Sequence, residues 1–295
     1  MRLLVDPLRN AVERVVSEHT GRQWSVTDAT DMTDFACHPC ALLSDGSYSV
    51  FAKFSAAANG MEQFELELGG LRLLSERAGV LTPTPIGITP AAGGCILVLK
   101  AVQAVDRTPR HWREIGRTLA RIHTIKGDRF GLETDGYFGP LPQDNTPTSD
   151  WPSFYAERRL RPGLRLAVDS GNLPAGIARR AEKLISRLPD LCGPEVVPTL
   201  LHGDAQQNNF ISTEKGAVAI DPAVYYGHPE MDLASLACFQ PVPDEAFEGY
   251  QDEMPIDPGF WERLHLWRLW SYLAGVAVEG RAYLAKLTEA VREYT

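Results

Sequence analysis

The run Leu200-Leu201-His202-Gly203-Asp204-Ala205-Gln206-Gln207-Asn208-Asn209 is followed shortly by Ala219-Ile220-Asp221-Pro222, so two carboxylates and a terminal amide sit on two loops, each beside an apolar run. That set suits phosphoryl transfer: one carboxylate meets an attacking hydroxyl, while an amide and a second carboxylate hold Mg²⁺ against nucleotide phosphates. Asp204 is the candidate base, a role worth about 10²–10⁴ in rate. Asn209 and Asp221 are the candidate metal ligands, because Mg²⁺ takes oxygen donors. Taken singly, each of these residues serves a loop equally well, since Asp and Asn side chains bond their own backbone. Their joint register carries the chemistry. A turn at Glu214-Lys215-Gly216 and a strand over 217–220 bring Asp221 back beside Asn209 from adjacent hairpin ends. His202 is expected to hold the loop. Asp232 either accepts the loop's backbone N–H groups or sits at a helix start, where an acid is favoured.

These residues need a cation for the phosphates and elements to position it. Asp6 is expected to cap a first helix, with Pro7 at its first position, Leu8, Val12 and Val15 on one face and Gly21 at its end. Residues 26–54 read as strands, with a hairpin turning at Asp45-Gly46 and Lys53 near the end of its second strand. The spacing of Phe64, Leu68, Leu71, Ser75 and Ala78 predicts a helix over 60–78. Glu67 lies about 60° from the middle of that stripe, so it leans inward. A buried carboxylate needs a partner, and Lys53 is the candidate. Read alone, Glu67 is a boundary residue with its head in water and Lys53 a strand-edge lysine; the downstream loop favours the pair. Cys95-Ile96-Leu97-Val98-Leu99 reads as a buried strand leading into Lys100-Ala101-Val102. Trp112, Ile115, Leu119 and Ile122 then form a helical stripe, residues 127–150 read as a long loop, and helices are expected over 151–161, 175–188 and much of 230–294. The order is a β-rich N-terminal part followed by a mostly helical one with one small hairpin, an α+β class.

The chain has 295 residues, 44% hydrophobic and 23% charged, which is ordinary for a globular protein. A formal net charge of −9 argues against a nucleic-acid partner. No apolar run approaches a membrane span, and the first residues are too soon interrupted for a signal peptide. Five scattered cysteines make no disulfide framework, so a cytoplasmic protein, monomeric or weakly dimeric, is expected. Cys37-His38-Pro39-Cys40 has no second Cys/His pair near it to complete a zinc site, and reads as ordinary strand with a minor option of thiol oxidation.

The H-x-D-x-x-x-x-N spacing matches the catalytic loop of protein kinases, with Gly203 in place of the arginine. In the form H-G-D-x-x-x-x-N it resembles small-molecule kinases of the aminoglycoside phosphotransferase type. Longer stretches resemble the fructosamine kinase (ketosamine-3-kinase) family: Val50-Phe51-Ala52-Lys53, Phe64-Glu65-Leu66-Glu67, Trp151-Pro152-Ser153-Phe154-Tyr155-Ala156-Glu157-Arg158-Arg159-Leu160, and above all the run from Ile220-Asp221-Pro222 through Gly227-His228-Pro229-Glu230-Met231-Asp232-Leu233-Ala234. The resemblance implies a bilobal protein-kinase-like fold, with a small β-rich nucleotide-binding lobe over 1–100 and a larger helical lobe over 101–295 that carries the catalytic loop and acceptor site. It implies ATP and Mg²⁺ as cofactors, Lys53 on the phosphates, and a hinge where backbone near Leu99 and Ala101 meets an adenine edge. The acceptor would be a hydroxyl on the sugar of a ketosamine.

Two features depart from the family. The paired glycine of the phosphate loop is absent; Thr30-Asp31-Met32-Thr33-Asp34-Phe35 stands there, so Thr30 or Thr33 and backbone N–H groups would have to serve, with Asp31 and Asp34 turned away. The family's Leu-Trp-x-Gly-Asn after H-G-D is here Ala205-Gln206-Gln207-Asn208-Asn209. Gln206, Gln207 and Asn208 either hydrogen-bond a polyol or satisfy their own backbone. Trp267 and Trp270 either stack on a sugar or are core, as helical spacing more often means. The changed loop keeps open a second purpose, inactivation of an aminoglycoside or sugar-nucleoside antibiotic, and the missing glycines a third, a pseudokinase that binds without turnover.

Overall fold

A computed structural model describes residues 2–33 and 38–294. Helix α1 (Asp6–Thr20) has Val5 at its N-cap; Asp6, expected as the cap, is its first residue and accepts from Arg9 one turn on. Strands β1 (Asp28–Asp31), β2 (Cys40–Ser44) and β3 (Ser49–Ser55), helix α2 (Gly60–Ala78), and strands β4 (Pro85–Ala91) and β5 (Gly94–Lys100) follow. Among the described residues these strands form one antiparallel sheet in the order β1-β2-β3-β5-β4.

Strand alternation decides where Lys53 points. Successive side chains of a strand face opposite sides. On β3 and β5, Val50, Ala52, Phe54, Ile96 and Val98 pack with Leu8, Val12 and Val16 of α1. Phe51, Cys95, Leu97 and Leu99 pack on the other face with Phe64, Leu68 and Leu71 of α2. Lys53 has the parity of Phe51 and therefore faces α2. Each turn of α2 presents a hydrophobe to the sheet, and Glu67, next to Leu68, comes up at its edge.

Residues 101–108 form neither helix nor strand and lead into α3 (Pro109–His123). Residues 127–150, expected as a loop, contain a hairpin, β6 (Gly136–Phe138) with β7 (Leu141–Gln143). Three-residue strands, one of them Leu-Pro-Gln, carry no readable period of two. Helix α4 (Trp151–Tyr155) passes through a π turn at Ala156–Leu160 into α5 (Arg161–Asp169). This exceeds the helix expected over 151–161. The widened turn precedes Pro162, which has no N–H to give to a regular ladder. Helices α6 (Ala175–Ile185) and α7 (Leu188–Leu191) follow, then β8 (Thr199–Leu201), β9 (Phe210–Thr213), β10 (Gly216–Ala219) and β11 (Tyr225–Gly227). The chain ends with α8 (Glu230–Leu236), α9 (Asp244–Gln251), α10 (Phe260–Trp267), α11 (Leu269–Glu279) and α12 (Leu284–Glu293). One core runs through this helical part.

Strand β8 pairs with β11 and β9 with β10, and the two loops of interest leave these pairs. The β9–β10 hairpin is stitched to the chain before it: Ala219 N–H donates to Leu81 at 2.8 Å, and Val105 N–H to Ser212 at 2.9 Å. Among the described residues no helix is long and apolar enough to cross a membrane.

Candidate active site

The loop between β8 and β9 is laced to the segment after β10. Ala223 N–H donates to the His202 carbonyl at 2.8 Å, and Ile220 N–H to the Asn209 carbonyl at 2.9 Å. The His202 ring is buried between them, with Nε2 3.0 Å from the Ile220 carbonyl and Nδ1 3.3 Å from the Asp204 N–H. Those partners require Nε2 to donate and Nδ1 to accept, a neutral imidazole, and burial lowers the ring's pKa in agreement. Gly203 has φ +82°, and a Cβ there would come 1.9 Å from the Ala223 carbonyl oxygen, so the close approach of the two segments requires glycine. Asp232, on α8 and 1% exposed, accepts from the N–H groups of His202 at 2.7 Å and Gly203 at 3.0 Å.

Asp204 is held by one oxygen. Its Oδ2 accepts from Asn209 Nδ2 at 2.9 Å and Gln206 Nε2 at 3.1 Å, while its Oδ1 is buried with no partner. Burial pushes the carboxyl up to about 7; the Gln206 bond opposes this and the nearby Asp221 charge adds to it. A carboxylate with one fixed and one unpaired oxygen can accept a proton from a hydroxyl brought to the unpaired one.

Across the cleft, Lys53 is 4% exposed, and its Nζ donates to both oxygens of Glu67 at 3.0 Å and to Asp221 Oδ1. Burial alone would favour a neutral amine, but the two carboxylates outweigh it and keep the ammonium. One ammonium between two acids divides them. Burial works to raise Asp221, yet Lys53 holds it below the usual carboxylate range, whereas burial prevails at Glu67 and raises it. Helix α2 comes close enough for this because residue 70 is glycine: a Cβ there would be 3.0 Å from the Pro222 ring.

Lys53, Glu67, Asp204, Gln206, Asn209 and Asp221 all line one cavity of about 510 Å³, walled by α2 on one side and by residues 132–137 and 139 on the other. The remaining expected residues lie outside it. Leu99 is buried in the core between sheet and α2, and the Ala101 N–H is spent on the Ser49 carbonyl at 3.0 Å. Thr33 is exposed and bonds back to Asp31 and Cys40. Thr30 and Asp31 lie on β1 outside the cavity, while Asp34, Phe35 and Cys37 fall outside the described residues. Cys40 is buried opposite Lys53 on β2, and burial pushes its thiol to about 11, which suits a plain strand residue. Gln207 bonds Arg107 and Gln240. Trp270 is core, its ring 5.5 Å from Phe138 of β6.

Several supporting residues escaped the sequence reading. Arg107 donates to the carbonyls of Gln207 at 2.7 Å and Phe210 at 2.5 Å, bracketing Asn209. Asp232 also faces His123 Nε2 at 3.2 Å, and His123 Nδ1 meets the Tyr250 hydroxyl at 2.9 Å. A titratable residue four positions after Leu119, on the buried stripe of α3, was the available signal for His123. Arg107 offered none.

The donor set fits a hard dication. Asn209 spends its amide nitrogen on Asp204, which leaves its carbonyl oxygen as a donor, and the Asp221 side chain is 37% exposed to the cleft. Among the described residues no group of three or more His, Cys, Asp or Glu could cage a metal alone. Two protein oxygens completed by phosphate and water is how Mg²⁺ is commonly bound.

The model of the fructosamine kinase family matches residues 8–295. Ketosamine-3-kinase of Mus musculus is 30% identical, over 76% of this chain and 81% of its own. The chloroplastic protein-ribulosamine 3-kinase of Arabidopsis thaliana is 30% identical, over 95% and 88%. A solved Thermobifida fusca protein classed as a fructosamine-3-kinase superposes with a TM-score of 0.83 at 34% identity, over 97% of this chain and 98% of its own. The aminoglycoside phosphotransferase APH(4)-Ia shares the fold, with a TM-score of 0.61 at 15% identity over 97% and 99% of the two chains.

Proposed function

Because the chain belongs to the fructosamine kinase family, and is therefore a small-molecule kinase, we propose that it transfers the terminal phosphoryl group of ATP to a sugar hydroxyl of a ketosamine. The observation that carries this reading is the unpaired Oδ1 of Asp204, on a residue that lines the same cavity as Lys53, Asn209 and Asp221.

In this mechanism Asp204 accepts the proton of the acceptor hydroxyl at Oδ1, while Asn209 and Gln206 fix its other oxygen. Lys53 neutralises donor phosphates, and Glu67 holds its ammonium in place. Asn209 and Asp221 would hold Mg²⁺, which would supply charge neutralisation on the donor phosphates. Asp232 and His202 keep the loop rigid, so the base need not reorganise during transfer. Phosphate cover falls to Thr30 or Thr33 with backbone N–H groups of that segment, and adenine contact to the hinge backbone near Leu99 and Ala101. With the Ala101 N–H already engaged, its carbonyl is the group left to face an adenine edge.

The phosphotransferases that act on antibiotics share only the fold at 15–16% identity, so the ketosamine reading stands ahead of antibiotic inactivation. The test is ADP release with Mg·ATP across glycated amines, the corresponding free sugars and aminoglycosides. Turnover on the glycated amines, with a +phosphate product by mass, is expected. Turnover confined to aminoglycosides, or none above background, overturns the substrate.

A further inference from the structure

Asn59 stands at the N-cap of α2, yet its side chain makes no capping bond. An N-cap Asn ordinarily accepts from the helix's first N–H groups. Here its Nδ2 instead donates to the Tyr137 hydroxyl at 3.0 Å, and that hydroxyl donates to Glu62 Oε2, in the first turn of the same helix, at 3.1 Å. Tyr137 belongs to β6, on the hairpin of the helical lobe, so the hydroxyl crosses from one lobe to the other.

The stem beneath it is firmly held. Phe138 packs on buried Trp270. Gln143 of β7, 1% exposed, donates to the Ala223 carbonyl at 3.2 Å, two residues past Asp221. Buried Arg159 bonds the Asp144 carbonyl and the Asn145 side chain, both at 2.7 Å, just after the hairpin. Helix α2 meets the helical lobe along its length, with its first turn at Tyr137, Gly70 against Pro222, and Leu74 in the helical-lobe core. Glu67 lies between the first two.

We propose that Tyr137 is a positioning residue: by tying the hairpin to the start of α2 it sets Glu67, and through Glu67 the ammonium of Lys53. This rests on the kinase reading for the role of Lys53, but the tie itself is testable without turnover. The tie runs through α2 to Glu67 and Lys53, so its effect should fall on nucleotide; Tyr137 itself lines the cavity, and Asn59, which does not, separates the tie from any direct contact with the acceptor.

The test compares Tyr137→Phe, Asn59→Ala and Glu62→Gln with the wild-type full chain, by amide hydrogen exchange over residues 60–67, by affinity for ADP with Mg²⁺, and by KM for each substrate. Tyr137→Phe and Asn59→Ala are expected to speed exchange in α2, to weaken ADP binding about three- to fivefold and to raise the KM for ATP alike, the scale of one partly exposed hydrogen bond. The acceptor KM should stay within about twofold, and Glu62→Gln, which keeps an acceptor oxygen for the hydroxyl, should behave as wild type. Unchanged exchange and ADP binding in both Tyr137→Phe and Asn59→Ala overturns the proposal, as does faster exchange with unchanged ADP affinity. If the protein binds ADP and shows these shifts but phosphorylates no ketosamine, the tie stands and the substrate assignment falls.

Discussion

Glu67 and Glu230 are both carboxylates withdrawn from water and paired with a cation, and they are handled in opposite ways. Glu230 is closed on every side. Its Oε1 accepts from Arg263 Nη2 at 2.6 Å, its Oε2 from Arg263 Nε at 3.0 Å and from Trp267 Nε1 at 2.6 Å, and Arg263 also meets Asp257 at 2.6 Å. A guanidinium fork fixes both oxygens and resists rearrangement. Glu67 has only the point charge of Lys53, and Asp221 competes for it. A buried acid that builds the fold is given donors enough to finish it. Under the proposed function, the one that serves a reaction shares a charge that a phosphate can claim.

The first experiment tests the open end of this contrast at its strongest point. Asp204→Asn should cut kcat by about 10²–10⁴. It should do so without loss of stability, because an amide can keep its oxygen on Asn209 and Gln206 and place its NH₂ on the open side. The pH dependence follows from the carboxyl being pushed up to about 7 by burial. Its folded pKa lies above the unfolded value, so its contribution to stability is whole below that unfolded value and lost as pH rises through the folded one. In ligand-free protein with chelator, the melting temperature of Asp204→Asn should therefore gain on wild type between about pH 4 and pH 7. A gap that narrows over that range would mean the site is not strained by its charge.

The second experiment sets the two acids against each other. Glu230→Ala removes three bonds and leaves Arg263 with Asp257 alone; it should cost about 2–3 kcal/mol in denaturant unfolding, with kcat of the folded fraction little changed. Lys53→Met should cost less stability, since the Asp221 side chain is 37% exposed and can turn to water, but should lower kcat/KM for ATP by roughly a hundredfold, the scale of one preorganised charge contact. Equal stability losses would erase the distinction. The smallest effect belongs to Gln206→Ala, expected to lower kcat by about three- to tenfold through loss of one bond to the base. Because that bond lowers the Asp204 pKa, removing it should move the acid limb of the pH–rate profile to higher pH. A limb that stays in place would show that Gln206 does not hold the base.

What could be read in advance divides along similar lines. The helix over 60–78 follows from a period of 3.6 and the turn at Asp45-Gly46 from local turn chemistry, whereas the approach of Glu67 to Lys53 is favoured only once the downstream loop is read with them. The fold class was legible from the order of such stretches. Gln207 was not legible, because its environment is set by Arg107, a hundred positions away. The two options left for Trp270 were decided by a hairpin whose strands are too short to announce themselves. Tyr137 matters only if one knows that α2 begins opposite it. Partnerships that depend on where separate elements meet are absent from local pattern.

Asp221 is, among the described residues, the non-glycine with a positive φ, +51°. Of the side chains that carry an oxygen, Asp and Asn are the ones that tolerate this left-handed backbone readily. Geometry has therefore narrowed the choice at this position before chemistry is consulted. In a saturation library, Glu at 221 would retain the charge and still be penalised by its backbone. Asn would keep the backbone and lose the charge, and Gly would relax the chain while removing the donor altogether. The tolerance profile of this one site should accordingly be nearly empty under selection for activity, and should admit Asn and Gly first under selection for folding alone.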